Sequence, residues 1–400
     1  MSIVRYWPLL CLAVLHTVVD SYSMLTEPLW PAFKTEFHLN PRQLELLLSI
    51  SLLTVNFSQA LFGFLRDRYR ITFLLWLGPI VGVLCLPMVG IAGDAQLAAA
   101  ALCLGMVGIG AFHPEAAVTA ATSVPEHRTR GISLFMFGGT LGLAIGPTLG
   151  GWMVQSFGLR SLPYLVLPGI VLIAILQALP RLGQSGRAAV TVARPRPALQ
   201  ISAAKFRLVA FVLAVCALRV VPNVGMTKAI AFTLDAQGVE TGRIGLIQSV
   251  FLVSGSLGLL LMATHFHTGW ERACMIWCPL IGVPLLLGLW FAAPGSAAML
   301  VLLALSGIVF NGTTPAMVAY GHQLFPESAG FASALTMGVS WGFAGLLIAR
   351  FTSMFDSLGH PEWLFLAFVP CLILSAGGAC FLPAYQALRE PEKSAELEPA

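Results

Sequence analysis

Twelve apolar runs long enough to cross a bilayer divide this chain, and that repetition leaves few folds open to it. A spanning helix needs about 20 mainly apolar residues. Such runs lie near residues 7–32, 44–64, 71–92, 96–121, 131–154, 161–180, 206–232, 244–264, 273–293, 296–320, 330–350 and 362–384. A soluble domain carries charge on about a quarter of its residues, whereas here the share is 10%, with 57% hydrophobic. So much apolar surface cannot be hidden from water. The bilayer is the expected solvent, and a soluble cytoplasmic enzyme is excluded. The net charge of +4 sits mostly between the runs, where it carries topology rather than a footprint for nucleic acid. Arg5 and the apolar residues after it look like a signal peptide at first. The run nevertheless continues past residue 25, holds His16 and Asp20, and lacks a small-residue cleavage site. A retained first span is expected.

Lys and Arg set the expected orientation. With the N-terminus inside, fifteen of the 22 basic residues fall in cytoplasmic segments, and Lys34, Arg42, Arg160, Arg243 and Arg350 fall outside. The positive-inside bias therefore puts both termini in the cytoplasm. The expected class is an all-α membrane protein of twelve transmembrane helices in two pseudo-symmetric six-helix halves. Residues 1–180 form the first half, 181–205 a cytoplasmic linker rich in Gly, Ser, Ala, Pro and Arg, 206–384 the second half, and 385–400 a disordered cytoplasmic tail. Internal repetition supports the division. VGIGAFHPEAAVTAATSVPE aligns with SGIVFNGTTPAMVAYGHQLFPE, with Pro114 and Pro315 201 residues apart, as are Pro125 and Pro326. Repeats of this kind place binding sites at their interface near the midplane. All eight cysteines lie within or beside apolar runs and no CxxC occurs, so no metal and no cofactor is expected.

Ionisable groups inside spans are costly and usually face a pathway. His16 and Asp20 are four apart and share a helix face, with Asp20 thirteen residues into its run, near mid-bilayer. A carboxylate at that depth can exchange protons near neutral pH; a structural hydrogen-bond pair is the plainer alternative. Arg219 lies at a matching depth in span seven. It is a candidate anchor for an anionic substrate, a partner for Asp20, or a permanent structural ion. Lys228 follows Glu27 by 201 residues near the outer ends of the same two spans, which suggests an outer gate or solvated interfacial charges. His113 and Glu115 flank Pro114 in span four, as protonation sites, substrate ligands or, for His113, a cap for carbonyls freed by the proline. Tyr22, Asn223, Gln248 and Asn311 are polar groups able to line a cavity and touch a substrate.

Two motifs carry a family resemblance. Gly63-Phe-Leu65-Arg66-Asp67-Arg68-Tyr-Arg70, between spans two and three, resembles the G-x-L-x-D-R-x-G-R loop of the major facilitator superfamily. Gly142, Gly146, Pro147, Gly150 and Gly151 in span five are similar to that superfamily's antiporter motif. Within it, HTVVDSYSMLTEPLWPAFKTEFHLN and GIGAFHPEAA resemble the fosmidomycin-resistance-like branch. The resemblance implies alternating access and proton-driven export of a small molecule from a bacterial inner membrane, without enzyme activity. Span four holds no Arg or Lys, so proton coupling is assigned afresh to Asp20, Glu115, His16 and His113. Asp67, Arg68 and Arg70 are expected to form a cytoplasmic latch that breaks as the halves rock. Arg219 points to an anionic or zwitterionic solute such as a phosphonate drug, a siderophore or a metabolite. The expected partners are that solute, protons and lipid, with a monomeric chain. Rival readings are export of a metal or metal chelate through His16, Asp20, His113 and Glu115, a membrane-embedded transferase, and a sensor without transport.

Overall fold

The computed structural model describes residues 7–69, 71–123, 128–179, 203–265, 267, 269–324 and 334–383. Among them, twelve helices are long and apolar enough to cross a membrane, and no strand occurs. In the first half these are α1 (Trp7–Glu36), α2 (Pro41–Arg66), α3 (Leu74–Ile91), α4 (Ala95–Ala120), α5 (Leu134–Phe157) and α6 (Leu159–Ala178). In the second they are α7 (Phe206–Asp235), α8 (Thr241–Met262), α9 (Glu271–Phe291), α10 (Ala297–Leu324), α11 (Leu335–Ser357) and α12 (Trp363–Cys380). The expected linker and tail lie almost wholly outside the described residues.

Prolines set the irregularities. In α1 the helix gives way to a 3-10 turn at Glu27–Leu29, with Pro28 supplying the fixed backbone angle, and resumes at Trp30. Pro87 does the same in α3, where Leu86–Ile91 is 3-10. Pro114, Pro147 and Pro315 sit inside helices that continue through them. Such prolines are tolerated where neighbouring groups satisfy the freed carbonyls.

α1 is the most enclosed span, and α5 is the reason. Gly138, Gly142, Gly146 and Gly150 recur every fourth residue and lie against the backbone carbonyls of Ala13, Thr17, Ser21 and Leu25 on α1. A methyl on Gly142 would stand 2.9 Å from Asp20 Cβ, and one on Gly146 2.8 Å from Met24 Cβ. Forcing extra carbon into such a contact costs about 1–3 kcal/mol. Small residues on both helices let the backbones approach, and Thr17 stitches them by donating to Gly138 O at 2.8 Å. Gly151 faces Thr241 of α8, while Gly245 of α8 faces Pro147. The glycine-proline run therefore packs α5 against its own half on one side and against the second half on the other.

The halves meet through α5 with α8, α2 with α11, and the far end of α1 with α7 and α8. Lys34 pairs with Asp356 at 2.7 Å and Arg350 with Glu45 at 3.2 Å. Thr148 and Ser249 hydroxyls bond at 2.8 Å, Ser353 donates to Pro41 O, and Gln155 donates to Glu240 at 2.5 Å. Every such hydrogen bond or ion pair with both partners among the described residues lies in the part of the bundle remote from the chain ends.

Candidate functional site

The polar centre is a carboxylate held between two imidazoles. α1 presents His16 and Asp20 on one face, with His16 Nε2 3.2 Å from Asp20 Oδ2. α4 presents His113, whose Nε2 lies 3.2 Å from Asp20 Oδ1. Each carboxylate oxygen thus meets one ring. Both rings are anchored at their other nitrogen: His16 Nδ1 lies 2.8 Å from Phe135 O on α5, and His113 Nδ1 2.8 Å from Ile109 O. A carbonyl only accepts, so both Nδ1 atoms carry hydrogen and both Nε2 atoms face the carboxylate.

Proton counting follows from that geometry. A neutral ring with hydrogen on Nδ1 offers a lone pair at Nε2, which an ionised carboxylate repels. Two attractive contacts with Asp20, a hydrogen bond from His113 and an ion-pair contact from His16, therefore need two further protons shared among the three groups, for a net charge of +1. Losing one proton turns one bond into a lone-pair clash and opens it. His16 and Asp20 are buried, and His113 is half-buried. His16 stacks on Phe135 at 3.9 Å between centroids. Gly139 makes room for the cluster, since a methyl there would lie 2.6 Å from His16 Nε2 and 2.9 Å from Asp20 Oδ2. The two rings and the carboxylate also offer ligand atoms within 4.8 Å of one another, a set able to hold a small divalent cation.

The other sequence candidates fall into separate groups. Glu115 turns away from the cluster, because α4 stays helical through Pro114 and residues two apart do not share a face. Its partner is Arg66 of α2, at 2.9 Å. Arg219 bonds to α10 rather than to Asp20: Nη1 donates to Phe310 O at 2.9 Å and Nη2 to Thr314 Oγ1 at 3.1 Å. Glu27 and Lys228 close on each other at 2.5 and 2.6 Å, and Thr227 donates to Glu27 Oε2 at 2.6 Å. Gln248 is buried beside them and donates to Thr227 O and Glu27 O, so it belongs to this outer lock. Lys228 also stands over the Trp30 ring, 5.6 Å from its centroid.

Tyr22 is buried and donates its hydroxyl to Leu165 O, tying α1 to α6. Asn223 is buried. Asn311 is half-buried, donates to Gly307 O at 3.3 Å, and packs beside Gly255. Arg68 is exposed with its guanidinium 5.6 Å from the Tyr69 ring. The Asp67 side chain and Arg70 lie outside the described residues, and with them most of the expected latch. Sequence reasoning missed Gly138 and Gly139, although Gly138 continues the fourfold spacing of Gly142. It also missed Thr314 as a ligand of Arg219.

Twelve helices in two halves around buried ionisable groups define a secondary transporter working by alternating access. The pattern described as Major Facilitator Superfamily matches residues 10–349, and the chain belongs to that superfamily. It is 23% identical over 360 residues to the fosmidomycin resistance protein of Escherichia coli (strain K12), covering 85% of each chain. It is also 23% identical over 392 residues to YfnC, an uncharacterised MFS-type transporter of Bacillus subtilis (strain 168), covering 96% of this chain and 94% of that one. Among solved structures, the nucleoside transporter NupG has a TM-score of 0.73 at 13% identity, covering 94% of this chain and 99% of that chain. The inward open xylose transporter XylE from E. coli has a TM-score of 0.72 at 14% identity, covering 96% and 99%. These likenesses establish the fold.

Proposed function

We propose that the chain exports a small anionic or zwitterionic organic solute in exchange for protons, as a monomer in a bacterial inner membrane with both termini cytoplasmic. The observation that carries this reading is the His16–Asp20–His113 cluster, whose two contacts with the carboxylate hold together only with two shared protons. A group that changes geometry when it loses a proton is what coupling requires. No cofactor takes part beyond the proton gradient. Arg219 supplies fixed positive charge for the solute, with Asn223 and Asn311 as further candidate contacts. Glu115 and Arg66 form a second ionisable pair nearer the cytoplasm. With the termini inside, the bonds between halves lie on the outer side, so the arrangement described here faces inward. Glu27, Lys228, Gln248 and Thr227 then form the outer gate.

The glycine-proline run of α5 and the likeness to a fosmidomycin resistance protein favour export. A second reading, export of a divalent metal or its chelate, is favoured by the two ring nitrogens and one carboxylate oxygen within 4.8 Å of one another. The test is flux in proteoliposomes under an imposed pH gradient, with fosmidomycin, an anionic siderophore and a divalent metal as separate solutes. Gradient-driven accumulation of an organic anion, lost on adding a protonophore, is expected. Accumulation of bare metal alone supports the second reading. Binding without any flux makes the protein a sensor, and flux indifferent to the gradient removes proton coupling.

A further inference from the structure

Among the described residues, Lys228 and Arg219 are the buried Lys and Arg side chains, and only the first is held by a carboxylate. Lys228 closes on Glu27 at 2.5 Å and Arg66 on Glu115 at 2.9 Å. Arg219, only 3% exposed, meets no carboxylate among the described residues. Its Nη atoms are held by Phe310 O and Thr314 Oγ1 of α10, and its Nε–H has no acceptor among the described residues. A lone cation removed from water is costly unless a counter-charge arrives. Thr314 accepts from Arg219, which leaves its own hydroxyl hydrogen available. Thr314 is half-buried and Pro315 beside it is exposed, so this turn of α10 borders open space.

The internal repeat gives the same place a second meaning. The 201-residue offset that matches Pro114 with Pro315 also matches Ile109 with Phe310 and His113 with Thr314. In the first half, that turn of α4 carries His113 on Ile109 O and reaches Asp20 of α1. In the second half, the equivalent turn of α10 holds Arg219 of α7. One turn in each half links its first helix to its fourth. The first-half copy holds two imidazoles against a carboxylate, and the second-half copy holds an arginine.

We propose that Arg219 and Thr314 form an oxyanion subsite in the second half that takes the acidic group of the transported solute, a carboxylate or phosphonate. The subsite rests on the reading of the chain as a solute transporter and adds to it where the acidic group docks and by which donors. Nε–H, the remaining guanidinium hydrogens and the Thr314 hydroxyl are the donors, and they match two oxygens of one anionic group.

The test is thermal unfolding of the full chain in detergent at constant ionic strength, with phenylphosphonate and benzoate against neutral benzamide. At least one anion is expected to raise the wild-type midpoint by a few degrees, with benzamide leaving it unmoved. Arg219→Met is expected to lose the anion response and, relieved of an unpaired buried charge, to unfold no lower than wild type without probe. Arg219→Lys keeps the charge but not the fork, and its anion affinity should fall about tenfold. An equal response to benzamide, or an anion response surviving in Arg219→Met, overturns the subsite. So does a lowered midpoint of Arg219→Met without probe, the signature of a purely structural arginine. Anion stabilisation that needs Arg219, in a protein without flux in proteoliposomes, upholds the subsite and removes the transport reading alone.

Discussion

Asp20→Asn is expected to abolish gradient-driven accumulation of solute in proteoliposomes while leaving the protein folded and able to exchange solute across the membrane. The amide is close in shape to the acid, and it keeps both contacts of the cluster. Its Nδ2–H donates to one neutral imidazole at Nε2, and its Oδ1 accepts from the other ring in protonated form. One shared proton then satisfies the geometry that needs two with aspartate, and the amide itself does not titrate. The solute can still bind in the second half, but its binding no longer drives the cluster between two proton counts. Coupling free energies between sites are typically about 1–3 kcal/mol, or roughly 5- to 150-fold in affinity. The whole of that coupling should vanish. Measuring accumulation under a pH gradient beside solute–solute exchange without one separates the two effects. Loss of both would mean that Asp20 is structural, and retention of both would mean that protons couple elsewhere, with Glu115 the next candidate.

Lys228→Met is expected to open the outer side. Glu27 and Lys228 are both buried, and the ammonium satisfies both carboxylate oxygens at 2.5 and 2.6 Å. Removing the lysine leaves an unpaired carboxylate enclosed by α1, α7 and α8. Breaking a buried pair this way costs about 3–5 kcal/mol, and the arrangement with the outer side closed bears that cost alone, since opening returns Glu27 to water. A shift of more than about 100-fold toward the open state follows at about 1.4 kcal/mol per tenfold. Spin labels at exposed outer positions, Gln96 in the first half and Gln237 in the second, report it as a longer distance in a background without native cysteines. The double variant Glu27→Gln/Lys228→Met removes both charges and should restore much of the closed population. If the single variant stays closed, the pair is dispensable to the gate, which then rests on α5 with α8 and α2 with α11.

What the sequence discloses here depends on whether a feature is local. The length of an apolar run is one-dimensional information, so all twelve spans were legible, as was the shared face of His16 and Asp20. Boundaries blurred where composition did. α1 runs to Glu36 rather than 32 because Trp30–Glu36 is an amphipathic turn restarted after Pro28. Within the described residues, α11 opens with a π-helical stretch, Ala334–Val339, in a run mixing Gly, Ser and Thr with apolar residues. Partners across helices were not legible. Nothing local says that His113 bridges to Asp20, that Glu115 turns to Arg66, or that Arg219 is held by the backbone and a threonine of α10. Gly139 was invisible for the same reason, since its meaning lies in the ring and carboxylate that occupy the space it leaves. The Glu27–Lys228 pairing was the exception, because the internal repeat places the two residues at equivalent positions.

Proton release on solute binding tests the central claim most directly. Binding heats of a transported solute, measured on the full chain in detergent in two buffers of different ionisation enthalpy, give the protons released per solute bound. The His16–Asp20–His113 cluster predicts release of about one proton in wild type, as one of its two contacts with the carboxylate opens, and none in Asp20→Asn. Tight binding with no release in wild type, or the same release in Asp20→Asn, would contradict it.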